Sequence, residues 1–395
     1  MHFCFLMPQI EYYSPVSGGA WAGKTYEFTK ELTARGHQVT VLTPFNGEPL
    51  YEMGNVVVIQ APRRNEIGAV RRAVYKIQGK VNRWDMPYYP PYLRSVLKAI
   101  RKLPTPPDVV LTYNDLASQE YLRIVLPLAK IYATLGNENR TRQANLDKTN
   151  ASVEQYLAIS QYVRDWTMQY LSVPPDKIST LLNGVNTETF HPRPNYLELR
   201  TPIRALFVGR IDPNKGPDIA ADAVVALRKE GVAVEFTVAG GTWFYGHNQQ
   251  DPYLQSLLKK IDMAGGKYLG PVRRKEIADL IRQHDIAFVL SRSNEPFGLV
   301  VLEAMASGLA VIASNRGGIP EACGGAGRLV DPDDFKAVVD NLRELATNPA
   351  ALSEEKGKSV TRAAQCTWKK RTEELLQITA SCNRGPSRWQ MGNLK

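Results

Sequence analysis

The chain has 395 residues, 44% of them apolar, and a formal charge of +10. That is enough apolar mass for two hydrophobic cores, since a single core stops growing near roughly 250 to 300 residues, and the charge favours an anionic partner: nucleic acid, acidic lipid headgroups or a phosphorylated substrate. No run reaches the roughly 18 to 20 apolar residues that span a bilayer, the opening HFCFLM is too short for a signal peptide, and Cys4, Cys323, Cys366 and Cys382 form neither a CxxC pair nor a zinc-type cluster; a reduced, cytoplasmic chain, at most peripheral on a membrane, is expected.

In chain order, short β-branched runs alternate with helical periodicity. HFCFLM, QVTVLT, VVVIQ, DVVLTY and KIYATL read as buried strands in the first half, and RALFVG, VEFTVAG, DIAFVL and LAVIAS in the second. Strands of this kind joined by helical crossovers predict parallel sheets with helices on both faces. The expected fold class is α/β, with two doubly wound, Rossmann-like domains. The first should cover residues 1–190. Pro192, Pro194 and Pro202 break both periodicities in a linker over 191–202. A second domain is expected over 203–365, an amphipathic helix over 366–380 and a patternless, disordered tail over 381–395.

Open parallel sheets bind ligands beyond the carboxyl ends of their strands, so the loops that follow strands carry the candidate chemistry. After the first strand, Ser17, Gly18 and Gly19 lead into a long helix, where amides unhindered by Cβ atoms can approach an anion. The spacing fits neither GxGxxG nor a Walker loop, and a tight strand-to-helix turn explains the same residues. Further on, VGRIDPNKG puts Arg210 at a strand end and Lys215 just before a glycine and a helix. A guanidinium and an ammonium five residues apart can clamp a diphosphate, although loop cations are more often simply solvated. After IAFVLS comes SNEPFGLVVLEAMA. Amides near Phe297, Gly298 and Leu299 can take phosphates there, while Glu295 and Glu303 can each accept two hydrogen bonds from a vicinal diol. A diphosphate flanked by two diol-bearing rings is a nucleotide sugar; a carboxylate at a helix start plus an exposed helical glutamate is the plain structural alternative. GNENR (136–140) and NGVNTETFHP (183–192) read as structural loops. Asp331, Asp333 and Asp334 read as helix capping rather than a metal cluster.

FVGRIDPNKG followed by SNEPFGLVVLEAMASGLAVIASNRGGIPE, with SGGA, ELTARGHQVTVLT and NGVNTETFHP in matching order, resembles the family 4 retaining glycosyltransferases from the first strand to Trp368. The resemblance implies the GT-B fold: two facing Rossmann-like domains around a cleft, the first binding the acceptor, the second the nucleotide sugar, and a terminal helix crossing back to the first. It implies that Arg210 and Lys215 bind the donor diphosphate and stabilise an oxocarbenium-like state, that Glu295 holds the donor sugar hydroxyls and that Glu303 holds the ribose. The backbone of Phe297, Gly298 and Leu299, with Gly18 and Gly19 across the cleft, would complete the phosphate cradle, and Val272 would lie near the base. Neither metal nor cofactor is implied, because two protein cations do the work of Mg²⁺. One departure stands out: many members carry histidine where this chain has Tyr113, and another where it has Gly136. Tyr113, Asn114 or Asp115 are the candidates here to orient sugar or acceptor.

The expected activity is metal-independent, retaining transfer of a hexosyl group from a nucleoside diphosphate sugar, UDP-linked in preference to GDP-linked, to a saccharide or lipid-linked cell-envelope acceptor. Arg63, Arg64, Arg71, Arg72, Lys76, Lys80 and Arg83, with Trp84, Tyr88, Tyr89 and Tyr92, predict docking of residues 63–92 on an anionic membrane surface at about 1 kcal/mol per cation. A solvated helical face is the alternative. Nucleic acid is not an expected partner, since no recognition module accompanies the charge. A non-catalytic sugar-nucleotide-binding paralogue and a sugar-nucleotide epimerase or phosphorylase are the competing classes.

Overall fold

The computed structural model describes residues 1–61, 90–139, 143–198, 200–242 and 248–381. Two separate sheets form, one from each half of the chain. The first contains β1 (His2–Leu6), β2 (Gln38–Thr43), β3 (Asn55–Val58), β4 (Val109–Tyr113), β5 (Lys130–Leu135), β6 (Gln155–Ala158) and β7 (Ile178–Thr180), in the order β3-β2-β1-β4-β5-β6-β7. The second contains β8 (Ile203–Val208), β9 (Val234–Ala239), β10 (Lys267–Tyr268), β11 (Ile286–Val289), β12 (Ala310–Ser314) and β13 (Arg328–Val330), in the order β10-β9-β8-β11-β12-β13. Every neighbouring pair is parallel. Strand order therefore reverses direction at β1/β4 in one sheet and at β8/β11 in the other, and such switch points are where doubly wound folds leave a crevice for a ligand. All nine apolar runs read as strands form strands. The four others, β6, β7, β10 and β13, are only two to four residues long.

Thirteen helices are described: α1 (Ala20–Ala34), α2 (Pro90–Ile100), α3 (Gln119–Val125), α4 (Gln143–Ser152), α5 (Gln161–Leu171), α6 (Pro217–Lys229), α7 (Pro252–Met263), α8 (Arg274–Arg282), α9 (Leu299–Ala306), α10 (Ile319–Cys323), α11 (Phe335–Thr347), α12 (Pro349–Gln365) and α13 (Trp368–Ser381). Local chemistry sets several starts. Ser160 Oγ accepts from Val163 N, and Asp251, followed by Pro252, accepts from Tyr253 and Leu254. Asp334 caps α11 through Ala337 N, so one of the three aspartates of VDPDD caps the helix as expected; Asp331 and Asp333 instead pair with Arg316.

Strands β1 and β4 are buried along their whole length, as expected of parallel strands covered on both faces. Phe3, Phe5, Phe28, Val41 and Leu111 lie in one cluster, and Phe207, Phe236, Phe288 and Ile312 in another. Each such side chain contributes roughly 1.5 to 3 kcal/mol when fully buried. One buried charge pair stands apart: Lys356 Nζ of α12 lies 2.7 Å from Asp285 Oδ1 just before β11, with both side chains inaccessible. After β7 the chain carries no helix or strand among the described residues up to β8, only a bridge between Val185 and Thr367. Helix α13 packs against the first sheet's layer. Trp368 meets Phe28 edge-on at 5.4 Å, and Lys130 Nζ of β5 donates to Thr379 O at 2.6 Å.

Most of the basic segment expected to meet a membrane, residues 63–89, lies outside the described residues, as does the tail from 382. Tyr92 is described, and its hydroxyl donates to Met7 O at 2.9 Å. No described helix is long and apolar enough to cross a membrane.

Candidate functional site

The loops after β8 and β11, adjacent strands at the second switch point, come together. Gly216, at φ +69, ends the first loop where an added Cβ would lie 2.1 Å from Leu290 O, so only glycine lets the two backbones approach this closely. Lys215, just before it, places its ammonium directly on Glu295 Oε1 of the second loop, and Ser291 Oγ donates to the same oxygen at 3.0 Å. Both partners keep some solvent exposure. Arg210 stands at the end of β8 with its guanidinium 3.6 Å from Asp212 of its own loop.

Phe297 is buried, and Gly298 at φ +86 turns the chain into α9 with no side chain capping the helix start. The amides and positive dipole end of α9 therefore lie beside the Lys215–Glu295 pair, an arrangement suited to an anion. Glu303 follows on the second turn of α9. Burial pushes its carboxyl above the usual carboxylate range, against the opposing charge of Arg274; among the described residues no hydrogen bond or ion pair engages that carboxylate. Val272 lies in the loop between β10 and α8, partly exposed.

The first sheet's side differs from expectation at the helix start. Gly18 N donates to Ser14 O at 3.0 Å, and an added Cβ on Gly18 would lie 2.2 Å from that oxygen. The first turn of α1 already holds an anion, the protein's own: Ala22 N donates to Glu11 Oε1 at 2.8 Å, and the same carboxylate lies against Gly19. Gly18 and Gly19 thus form a tight turn capped internally by Glu11.

Tyr113 ends β4 but is 1% exposed. Its hydroxyl accepts from Thr25 Oγ1 at 2.8 Å, its ring stacks under Trp21 at 4.6 Å, and burial raises its phenol far above the ordinary value. It is a core residue with no face toward solvent. Asn114, in the left-handed region at φ 47, accepts through Oδ1 from Gly136 N at 2.7 Å and Asn139 Nδ2 at 3.2 Å, tying the loops after β4 and β5 together. Asp115 turns back to Ala117 N and Ser118 N.

Several residues that motif reading passed over also belong to this region. Lys24 is buried in α1, 5.6 Å above the Trp21 ring and 5.7 Å from that of Phe28, and its ammonium donates to Asn183 Oδ1 at 3.1 Å; burial lowers its pKa to about 7. Trp21, Lys24 and Phe28 share the i, i+3, i+7 face of one helix, a spacing visible in the sequence. Arg274, at the start of α8, lies over α1 so closely that an added Cβ on Gly23 would be 2.8 Å from its Nη2. Glu321 of α10 accepts from Gln161 N and Tyr162 N at 2.5 and 2.8 Å, capping α5 of the other half. The two halves thus meet through Arg274 and Glu321, among other contacts.

Residues 25–189 match the family model described as Glycosyltransferase Family 4, and residues 202–348 the model described as Glycosyl transferases group 1. The chain is 29% identical over 246 residues to spore coat protein SA of Bacillus subtilis (58% of this chain, 65% of that protein), and 32% over 241 residues to D-inositol 3-phosphate glycosyltransferase of Streptomyces coelicolor (54% and 52%). It spans about half to two thirds of the length of these relatives. Glycogen synthase of Mycobacterium tuberculosis aligns over more of both chains, 86% and 85%, at 26% identity. Among solved structures, sucrose-phosphate synthase from Thermosynechococcus elongatus superposes with a TM-score of 0.73 at 17% identity, covering 96% of this chain and 98% of that one. Anabaena HepE in complex with UDP and glucose superposes with a TM-score of 0.70 at 17% identity, covering 96% and 100%.

Two parallel, doubly wound sheets, one from each half of the chain, make up the GT-B architecture shared with these solved structures. The chain belongs to the group 1, family 4 glycosyltransferases.

Proposed function

We propose that this chain is a retaining hexosyltransferase that moves a sugar from a nucleoside diphosphate sugar, UDP-linked in preference to GDP-linked, to a saccharide or lipid-linked cell-envelope acceptor without a metal ion. The observation that carries this reading is the direct contact of Lys215 with Glu295 at the β8/β11 switch point, beside the uncapped start of α9. A donor entering there separates the pair. Its diphosphate takes the ammonium, the Arg210 guanidinium and the α9 amides, and its sugar hydroxyls donate to the freed Glu295 carboxylate. Glu303, which no described side chain engages, accepts from the ribose. As the glycosidic bond breaks, charge grows on the diphosphate where Arg210 and Lys215 are already oriented, and the departing diphosphate oxygen receives the acceptor proton on the same face. The naming of several relatives as glycosyltransferases and the UDP bound to HepE support the substrate class.

The test is release of UDP from UDP-glucose by the wild type and by Glu295→Gln. We expect turnover to fall at least about a hundredfold in the variant while affinity for UDP alone, which has no sugar to lose, stays within about threefold. Turnover unchanged in Glu295→Gln removes the assignment. A parallel thermal-shift screen of UDP- and GDP-sugars decides the base. The burial of Tyr113 favours one second reading, a non-catalytic sugar-nucleotide binder, because the end of β4 offers no exposed tyrosine to the donor; binding without turnover selects it. Docking of residues 63–92 on an anionic membrane is proposed as well, and cosedimentation with vesicles containing phosphatidylserine at moderate salt is its measurement.

A further inference from the structure

We propose that Arg292 is a positioning residue: it fixes the loop that bears Lys215 against the loop that bears Glu295, so the two stay in register after a ligand has separated them. The inference rests on the donor reading above. Lys215 and Glu295 come from different loops and contact each other directly. That contact cannot set the loop spacing in a liganded state, because a diphosphate and a sugar would take one partner each. A second tie is needed, and Arg292 supplies it.

Its backbone N donates to Asn214 O at 2.8 Å, and its Nη1 donates to Pro213 O at 2.6 Å; both acceptors directly precede Lys215. The same guanidinium forms a two-pronged pair with Asp218, Nη1 to Oδ1 at 2.8 Å and Nη2 to Oδ2 at 2.7 Å. Asp218 sits in the first turn of α6, just after Gly216, so one side chain grips the Lys215 loop on both sides of the lysine. The far ends are anchored too. Tyr253 of α7 donates to Asp218 Oδ1 at 2.7 Å, and Arg316, after β12, donates to Arg292 O at 2.5 Å. Arg292 itself lies three residues before Glu295. Only a planar guanidinium can meet a carboxylate with two parallel bonds and a carbonyl as well; an ammonium on a flexible stem cannot.

The experiment is a double-mutant cycle on UDP-glucose turnover with Arg292→Ala, Lys215→Ala and the pair, with Arg292→Lys and Asp218→Asn alongside and each variant's melting temperature recorded. If Arg292 acts through Lys215, Arg292→Ala lowers kcat/KM about tenfold or more in the wild-type background and less than about twofold in the Lys215→Ala background. Arg292→Lys then resembles Arg292→Ala, and Asp218→Asn, which keeps the side chain's shape, shifts activity in the same direction. Losses that multiply in the double variant, or full rescue by lysine, overturn the positioning role. A wild type that neither binds UDP or GDP nor turns over UDP-glucose overturns the donor reading itself, and the inference with it.

Discussion

Trp21 occupies the space that any side chain on residue 136 would need. A Cβ built on Gly136 would lie 2.4 Å from Cζ2 and 2.5 Å from Cη2 of the indole, whose ring is stacked on Tyr113. The departures at 113 and 136 therefore form one packing unit, with the tryptophan of α1 filling what those two positions leave. Gly136→Ala should destabilise the fold by about 1 to 3 kcal/mol through overpacking. Trp21→Ala in the same chain should remove that increment, as urea titrations of the four-variant cycle will measure; additive costs would separate the two positions.

Lys24 makes stability depend on pH in a stated direction. In the folded chain its pKa falls from the ordinary lysine value of 10.5 to about 7, because burial penalises the ammonium. Between those values the unfolded chain binds a proton that the folded chain does not, so the lysine's contribution to stability rises with pH across that window. Below about pH 7 both states are charged and the full burial penalty is present, on the order of a few kcal/mol. Lys24→Met should therefore be more stable than wild type at pH 6, with the gap closing toward pH 10. Parallel curves of unfolding free energy against pH for the two proteins would refute this.

Asp285 and Lys356 form the charge pair most deeply withdrawn from water among the described residues. Removing the acid leaves an inaccessible ammonium without its ion-pair partner. Asp285→Ala should cost about 3 to 5 kcal/mol, whereas Asp285→Leu with Lys356→Met should restore part of that loss, but not the part due to Arg204 N and Arg193, which also face the Asp285 carboxylate at 3.2 and 3.7 Å. Calorimetric melting of the two variants distinguishes the outcomes.

Glu321 is expected to protect the first turn of α5 from hydrogen exchange, because its carboxylate accepts from the Gln161 and Tyr162 amides. Glu321→Ala should speed exchange of those two amides and cost about 1 kcal/mol. Exchange confined to wild-type rates would show that the two halves do not meet there in solution.

The architecture was legible wherever an apolar run was long enough to be buried on both faces, as in QVTVLT or LAVIAS. The edge segments QYLA, IST, KY and RLV carry two to four residues each and too little pattern to separate them from loops. Lys215 and Glu295 were readable as parts of one donor site because both follow strands, and parallel sheets place all such loops at one end; their direct contact was not. What the sequence does not disclose is which distant group completes a local feature. Gly18 and Gly19 read as a seat for an anion, but the carboxylate that fills it comes from Glu11, several residues upstream in an irregular loop. Tyr113 read as a residue at a strand end, and its burial depends on Trp21, which no periodicity in β4 reports. Arg292 has no motif of its own, and its partners Pro213 and Asp218 are brought beside it only by the fold.

Because α13 packs on Phe28 and β5, the chain that builds the second sheet leaves the first layer at β7 and hands back to it at Trp368. The later-encoded lobe is in effect an insert nested within the earlier one. Ribosomal synthesis must then finish nearly the whole described chain before the N-terminal lobe receives its last wall, and proteolytic nicking near residue 366 would unseal the lobe that was made first.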